Sequence, residues 1–164
     1  LYGIAVAFRP MTNYEMMMRQ LMFLYERGIK RVHLLGSASE TAFLLSAALL
    51  KQGYFELIST DSSAYSLRAT YALMDYKERK IDAGRRRSYQ LYCECPVCKR
   101  YNFINERYID TTWYIKLMLH NLWRIQDNYW FALNVANSGD IDSVLQDRGL
   151  SKYLTFMKNL DLWS

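Results

Sequence analysis

The alternation of apolar and polar positions sets up a rhythm of strands and helices over the first sixty residues. Tyr2-Gly3-Ile4-Ala5-Val6-Ala7-Phe8 is a short apolar run with Pro10 just beyond it, the pattern of a buried strand. Thr12 followed by Glu15 reads as a capping box, opening a helix rich in Met and Leu that ends near Gly28. Arg31-Val32-His33-Leu34-Leu35 is a second strand run, closed by Gly36. Ser37 and Glu40 form another capping box, and the helix from about Thr41 ends near Gly53. Tyr54 to Ser59 is a third strand candidate. This is the βαβ alternation of a parallel sheet, either doubly wound or closed as a barrel.

After Asp61 the rhythm breaks. Residues 62–75 are small and aromatic, 77–88 are basic, and a cysteine cluster follows. From about Thr112 to Asn134 apolar residues recur at helical spacing: Ile115, Met118, Leu119, Leu122, Ile125, Tyr129 and Leu133. A last helical stretch, roughly Ile141 to Leu160, is interrupted at Gly149.

Composition narrows the class. With 51% hydrophobic and 23% charged residues, the chain lies far from the signature of disorder. No apolar run approaches the ~18–20 residues of a membrane-spanning helix. The expectation is a cytoplasmic protein with no membrane partner. The formal net charge of +5 is concentrated: the window Lys77 to Arg100, with Lys77, Arg79, Lys80, Arg85, Arg86, Arg87, Lys99 and Arg100, carries all of it. Such a segment attracts polyanions, and neutralising phosphates is the usual source of nucleic-acid affinity. An ordinary solvated helix face would show the same residues.

The only three cysteines, Cys93, Cys95 and Cys98, fall within six residues. That set makes a poor disulfide framework but suits a soft metal in a reducing compartment. Tetrahedral zinc needs a fourth donor, and His120 lies 22 residues beyond Cys98 on the long helix. Three thiolates and an imidazole fill the coordination shell, so the expected Zn2+ is structural, one per chain. Three buried free thiols and a core histidine are the plainer alternative. His33, inside a strand run, reads as a packed or hydrogen-bonded residue rather than a ligand. Asp61 follows the third strand. In α/β sheets and barrels the C-terminal strand ends carry the chemistry, although Asp before Ser62 and Ser63 also suits a helix N-cap or turn.

Four blocks, in order, resemble the C-terminal part of a tRNA-guanine transglycosylase. Cys93-Glu94-Cys95-Pro96-Val97-Cys98 followed by Leu119-His120-Asn121-Leu122 is similar to that family's zinc motif with its helical His-Asn. Gly3-Ile4-Ala5-Val6, Leu34-Leu35-Gly36 and Thr60-Asp61-Ser62 are similar to the strand ends ahead of it. The resemblance spans roughly Tyr2 to Asn134. It implies an α/β fold: the C-terminal portion of a (β/α)8 TIM barrel with an inserted zinc-binding subdomain and C-terminal helices. The divisions expected are 1–75 for the last three β/α units, 76–136 for the basic segment and zinc subdomain with its long helix, and 137–164 for a helical tail. A complete barrel typically takes about 250 residues, so 164 residues suggest the end of a longer protein.

The activity implied is exchange of guanine for a 7-deazaguanine base of the queuine type, in tRNA or DNA, through a covalent aspartyl-ribosyl intermediate. Asp61 matches the nucleophile, and such a carboxylate attacks an oxocarbenium-like carbon as in retaining glycosidases. Gly3 and Ile4 would contact the base with their backbone, and Leu35 and Gly36 would line its pocket. The target nucleotide would be flipped out of its stack, with Arg85, Arg86, Arg87, Lys99 and Arg100 on the phosphate backbone. The loop Ser62-Ser63-Ala64-Tyr65-Ser66-Leu67-Arg68 looks closer to archaeal members, or to relatives that modify DNA. The family's general base and guanine-reading residues lie on earlier strands, so no residue here takes those roles. The alternative is a non-catalytic zinc-containing subunit or remnant of the same fold, contributing nucleic-acid binding and a homodimer contact through the zinc subdomain.

Overall fold

Three parallel strands in sequential order, each joined to the next by a helix, form the first part of the chain. A computed structural model describes residues 2–5, 14–71, 73–76, 79–82, 93–103 and 110–158. Strand β1 (Tyr2–Ala5) leads to α1 (Tyr14–Glu26), β2 (Arg31–Leu35), α2 (Glu40–Lys51) and β3 (Leu57–Thr60). The sheet order is β1-β2-β3. Gly3 pairs with His33 and His33 with Ser59, while Ile4 pairs with Leu34 and Leu34 with Thr60. The expected βαβαβ alternation is present, and the chain is α/β.

Side-chain alternation divides the sheet. On β2, Val32 and Leu34 are fully buried, while Arg31 and Leu35 are exposed and His33 is half-buried. Right-handed crossovers in sequential order put both helices on one side of a sheet. The apolar residues that make a core there are Met17, Met18 and Leu21 of α1, at i, i+1 and i+4, and Phe43, Leu44, Leu45, Ala48 and Leu49 of α2. Gly36 ends β2 at φ 73°, a left-handed conformation that a Cβ would strain.

The cap of α2 differs from the sequence expectation. Ser39, not Ser37, is the N-cap: its Oγ accepts from the Ala42 N–H at 3.1 Å, and the Tyr14 hydroxyl lies 2.8 Å away. Ser37 is buried, with no hydrogen-bond partner for its Oγ. The i→i+3 reach of a capping oxygen explains the difference, since the helix starts at Glu40 and only Ser39 lies immediately before it. Thr12, expected to cap α1, lies outside the described residues.

The chain then continues through α3 (Ala64–Thr70), an antiparallel hairpin of β4 (Leu73–Tyr76) and β5 (Arg79–Asp82), α4 (Pro96–Tyr101), α5 (Thr111–Ser138), α6 (Ile141–Asp147) and α7 (Ser151–Lys158). The break at Gly149, where φ is 64°, falls where expected. Two compact units result, one of 1–62 with 128–164 and one of 63–127. The sequence divisions at 75/76 and 136/137 differ from these for a packing reason. Ala69 of α3 and Met74 of β4 share a core with the cysteines, whereas α6 packs on α2 and α7 on α1. In the first unit Lys51 Nζ donates to the Gly139 carbonyl at 2.9 Å, and Arg148 pairs with Glu40. Among the described residues no helix is long and apolar enough to cross a membrane.

Candidate functional site

Two segments of the second unit bring four metal-type donors together. Cys93 and Cys95 precede α4, Cys98 lies in its first turn, and Pro96 occupies the first helical position, where its missing N–H costs nothing. Cys95 is the N-cap, and its Sγ accepts from the Cys98 N–H at 3.3 Å. The helix closes at Asn102, whose φ of 43° and N–H to the Cys98 carbonyl make a left-handed cap. The fourth donor, His120, sits fully buried on α5.

What orients α5 is its buried face, Trp113, Leu117, His120 and Asn121, at helical spacing. Asp110 starts the helix by accepting from the Trp113 N–H at 2.8 Å. Trp113 Nε1 donates to the Phe103 carbonyl at 3.0 Å, and its ring packs edge-on against Phe103. Asn121 Nδ2 donates to the Tyr65 carbonyl at 3.3 Å, tying α5 to α3. The apolar stripe expected from the sequence is rotated. Ile115, Leu119 and Tyr129 are exposed, because turning His120 inward selects residues three and seven positions before it.

The Sγ atoms of Cys95 and Cys98 each lie 3.2 Å from His120 Nδ1, that of Cys93 lies at 3.9 Å, and all four donor atoms fall within 4.8 Å of one another. A tetrahedral ion with metal–sulfur bonds of about 2.3 Å and metal–nitrogen bonds of about 2.0–2.1 Å needs sulfur–nitrogen edges of roughly 3.5 Å. The observed separations bracket that value. Thiol ionisation points the same way. A hydrogen bond from the Cys98 thiol pushes Cys93 down to about 3, while burial raises Cys95. Cys98 is driven far up, first by its bond to Cys93 and then by burial. Three thiolates this close together require a cation at their centre. The four residues therefore fit a single structural metal site.

In the first unit, Asp61 immediately follows the C-terminal end of β3. Its N–H donates to the Leu34 carbonyl at 3.3 Å, and its Oδ1 accepts from the Gly36 N–H at 2.9 Å. Oδ2 lies 3.5 Å from His33 Nε2, and the carboxylate is 60% exposed. The Gly36 hydrogen bond holds the carboxyl below its ordinary value, and His33 adds to that effect. Gly36 and Asp61 are thus in direct contact, with Leu35 beside them at 40% exposure. Gly3 and Ile4 lie on the neighbouring strand, paired with His33 and Leu34.

Sequence pattern alone does not reveal the company Asp61 keeps. His33 Nδ1 lies 2.8 Å from Ser59 Oγ, so His33 bridges Ser59 and Asp61. The two-residue period of β3 is the available signal, since it places Ser59 and Asp61 on one face. Lys99 and Arg100 are exposed in the last turn of α4, where cations also complement the helix dipole. Arg85, Arg86 and Arg87 lie outside the described residues.

Fold and site together define an α/β chain carrying a Cys3His metal-type centre and a strand-end carboxylate. No family model and no curated protein matches the chain.

Proposed function

We propose that this chain is the nucleophile-bearing part of a nucleic-acid guanine transglycosylase, exchanging guanine for a 7-deazaguanine base in tRNA or DNA. The observation that carries this reading is the Asp61 carboxylate, exposed at the end of a parallel strand and steadied on one oxygen by the Gly36 N–H. Sequential strand order, with alternate side chains of the central strand β2 buried, also suits the last three β/α units of a (β/α)8 barrel. In the first step an Asp61 oxygen bonds to C1′ of the guanosine while the C1′–N9 bond breaks and guanine leaves with the bonding pair. In the second, N9 of the 7-deazaguanine bonds to C1′ as the C1′–O bond to Asp61 breaks and frees the carboxylate; the N9 proton passes to solvent, which supplies one to the departed guanine. Backbone from Gly3 and Ile4 would meet the base, with Leu35 and Gly36 lining its pocket.

Zn2+ is the ion that Cys93, Cys95, Cys98 and His120 suit best, because three thiolates and one imidazole select a borderline-soft tetrahedral cation. Its work would be to hold the second unit together. The basic residues Arg85, Arg86, Arg87, Lys99 and Arg100 would lie along the phosphates, and the same unit is where a homodimer contact would form. The test is to trap a covalent protein–nucleic acid adduct, using the protein as its gene encodes it, on guanosine-containing tRNA and on duplex DNA. An adduct is expected on one of the two polymers and not with Asp61→Asn. An adduct that persists in the Asp61→Asn protein, or none on either polymer, refutes the reading.

A further inference from the structure

We propose that His33 is a positioning residue for Asp61, with Ser59 setting the ring so that Nε2–H faces the Asp61 carboxylate. The proposal rests on the transglycosylase reading for its catalytic consequence, but not for its geometry.

Register creates the arrangement. His33 and Ser59 are directly paired on adjacent parallel strands, and Asp61 follows Ser59 by two residues, so all three belong to one face of the sheet. His33 is the more enclosed of the two ionisable groups, its side chain 24% exposed. The partners of Asp61 approach from two places on the β2 side: the Gly36 N–H takes Oδ1 and the His33 ring faces Oδ2. A hydrogen bond on one oxygen and a ring beside the other fix the rotation of a carboxylate that exposure would otherwise leave free.

Proton accounting determines which ring nitrogen carries hydrogen. The Ser59 hydroxyl has one proton and two neighbouring acceptors, His33 Nδ1 at 2.8 Å and the Val32 carbonyl at 3.5 Å. Given to the nearer atom, it makes Nδ1 the acceptor and leaves the neutral ring protonated at Nε2, toward Asp61. Given to Val32, it obliges Nδ1–H to donate to Ser59. The shorter of the two contacts favours the first assignment. With the Ser59 hydroxyl given to its nearer acceptor, Nε2–H points at Oδ2.

For catalysis this matters because the nucleophilic oxygen must lie in line with C1′, and small misplacements are expensive. When Asp61 becomes an ester its negative charge disappears, which weakens the bond from His33. When the ester is cleaved the bond strengthens, so His33 favours the departing carboxylate over the adduct. No proton passes between His33 and Asp61 in either step.

The test has two arms on the same variants. Long-range 1H–15N spectra of the His33 ring should show Nε2 protonated in the wild type, and the Asp61 carboxyl, followed by 13C, should titrate at higher pH in His33→Ala than in wild type. His33→Gln, which offers an amide N–H in place of Nε2–H, should reverse part of that rise. In the second arm, adduct formation should slow about 10- to 100-fold in His33→Ala with little change in the nucleic-acid KM, and His33→Gln should recover much of the rate. An unshifted Asp61 titration with adduct formation at the wild-type rate overturns the role of His33. If wild-type protein forms no adduct while the spectra behave as expected, the transglycosylase reading fails and the pairing stands.

Discussion

Removing the metal proposed for the Cys3His site should unfold the second unit while leaving the first intact. The four donors lie within the small core of that unit, where Cys95 and Cys98 pack with Ala69, Met74, Phe103, Trp113 and Leu117. A structural zinc of this type contributes about 10–16 kcal/mol of apparent binding free energy at neutral pH. Whole domains are stable by only about 5–15 kcal/mol, so a unit built around this centre has little left without it. The first unit has its own core in Val32, Leu34, Leu44, Leu45 and Leu49. Chelation should therefore release one metal equivalent per chain and abolish the near-ultraviolet signal of Trp113, now clamped between Phe103 and Tyr114. Amide protection should collapse over α4 and the first half of α5 but persist in β2 and α2. Cys98→Ser should weaken the metal by more than about 100-fold, since outer-sphere partners alone are worth 10–100-fold. A metal-free protein that keeps the Trp113 signal and melts as before would refute the reasoning.

Ser39→Ala should cost about 1 kcal/mol in denaturant unfolding through loss of the cap, whereas Ser37→Ala, which removes a buried hydroxyl without a partner, should be neutral or stabilising. The reverse order would place the cap at Ser37. Leu34→Ala should cost about 2–5 kcal/mol and Leu35→Ala no more than about 0.5 kcal/mol, because the first side chain is fully buried and its neighbour is exposed. The Asp61 carboxyl is depressed in the folded state, so it stabilises above the ordinary carboxylate value of 3.8, and that contribution is lost as pH falls through the lower folded value. Wild type should accordingly exceed Asp61→Asn in stability at pH 6 and converge with it in strong acid; a gap that does not change with pH removes the ionic origin. On the proposed function, Lys99→Ala with Arg100→Ala should weaken nucleic-acid binding on all sequences alike and lower the salt slope by about one for each phosphate no longer neutralised. An unchanged slope takes both residues out of the interface.

The elements that sequence pattern reveals are those whose causes are local. Strands β2 and β3 and helices α1 and α2 follow from short apolar runs, punctuated by Gly28, Gly36 and Gly53 at positive φ. The Cys3His set is legible because its spacing has few other uses. The orientation of α5 is not, because hydrophobic periodicity weighs Ile115 and Leu119 as heavily as Trp113 and Leu117. His120, a polar residue on any hydropathy scale, decides which stripe turns inward. The cap at Ser39 is obscured by Ser37, which offers the same hydroxyl two residues earlier. His33 reads as a packed or hydrogen-bonded residue, and it is hydrogen-bonded, but its partners, Ser59 and Asp61, are illegible in sequence because they follow from another strand and only the register brings them to it.

That register separates stability from chemistry within a few consecutive residues. On β2 the even positions, Val32 and Leu34, are fully buried; the odd positions, His33 and Leu35, share the face of Ser59 and Asp61. A one-residue slip of either strand would exchange the two sets, turning Asp61 into the apolar core and bringing Leu34 out. Burying that carboxylate without a partner costs far more than the hydrogen bond from Gly36 returns. The apolar residues that hold the sheet on its helices thus enforce the register that brings His33 and Gly36 to Asp61. Packing on one face is the cause of preorganisation on the other.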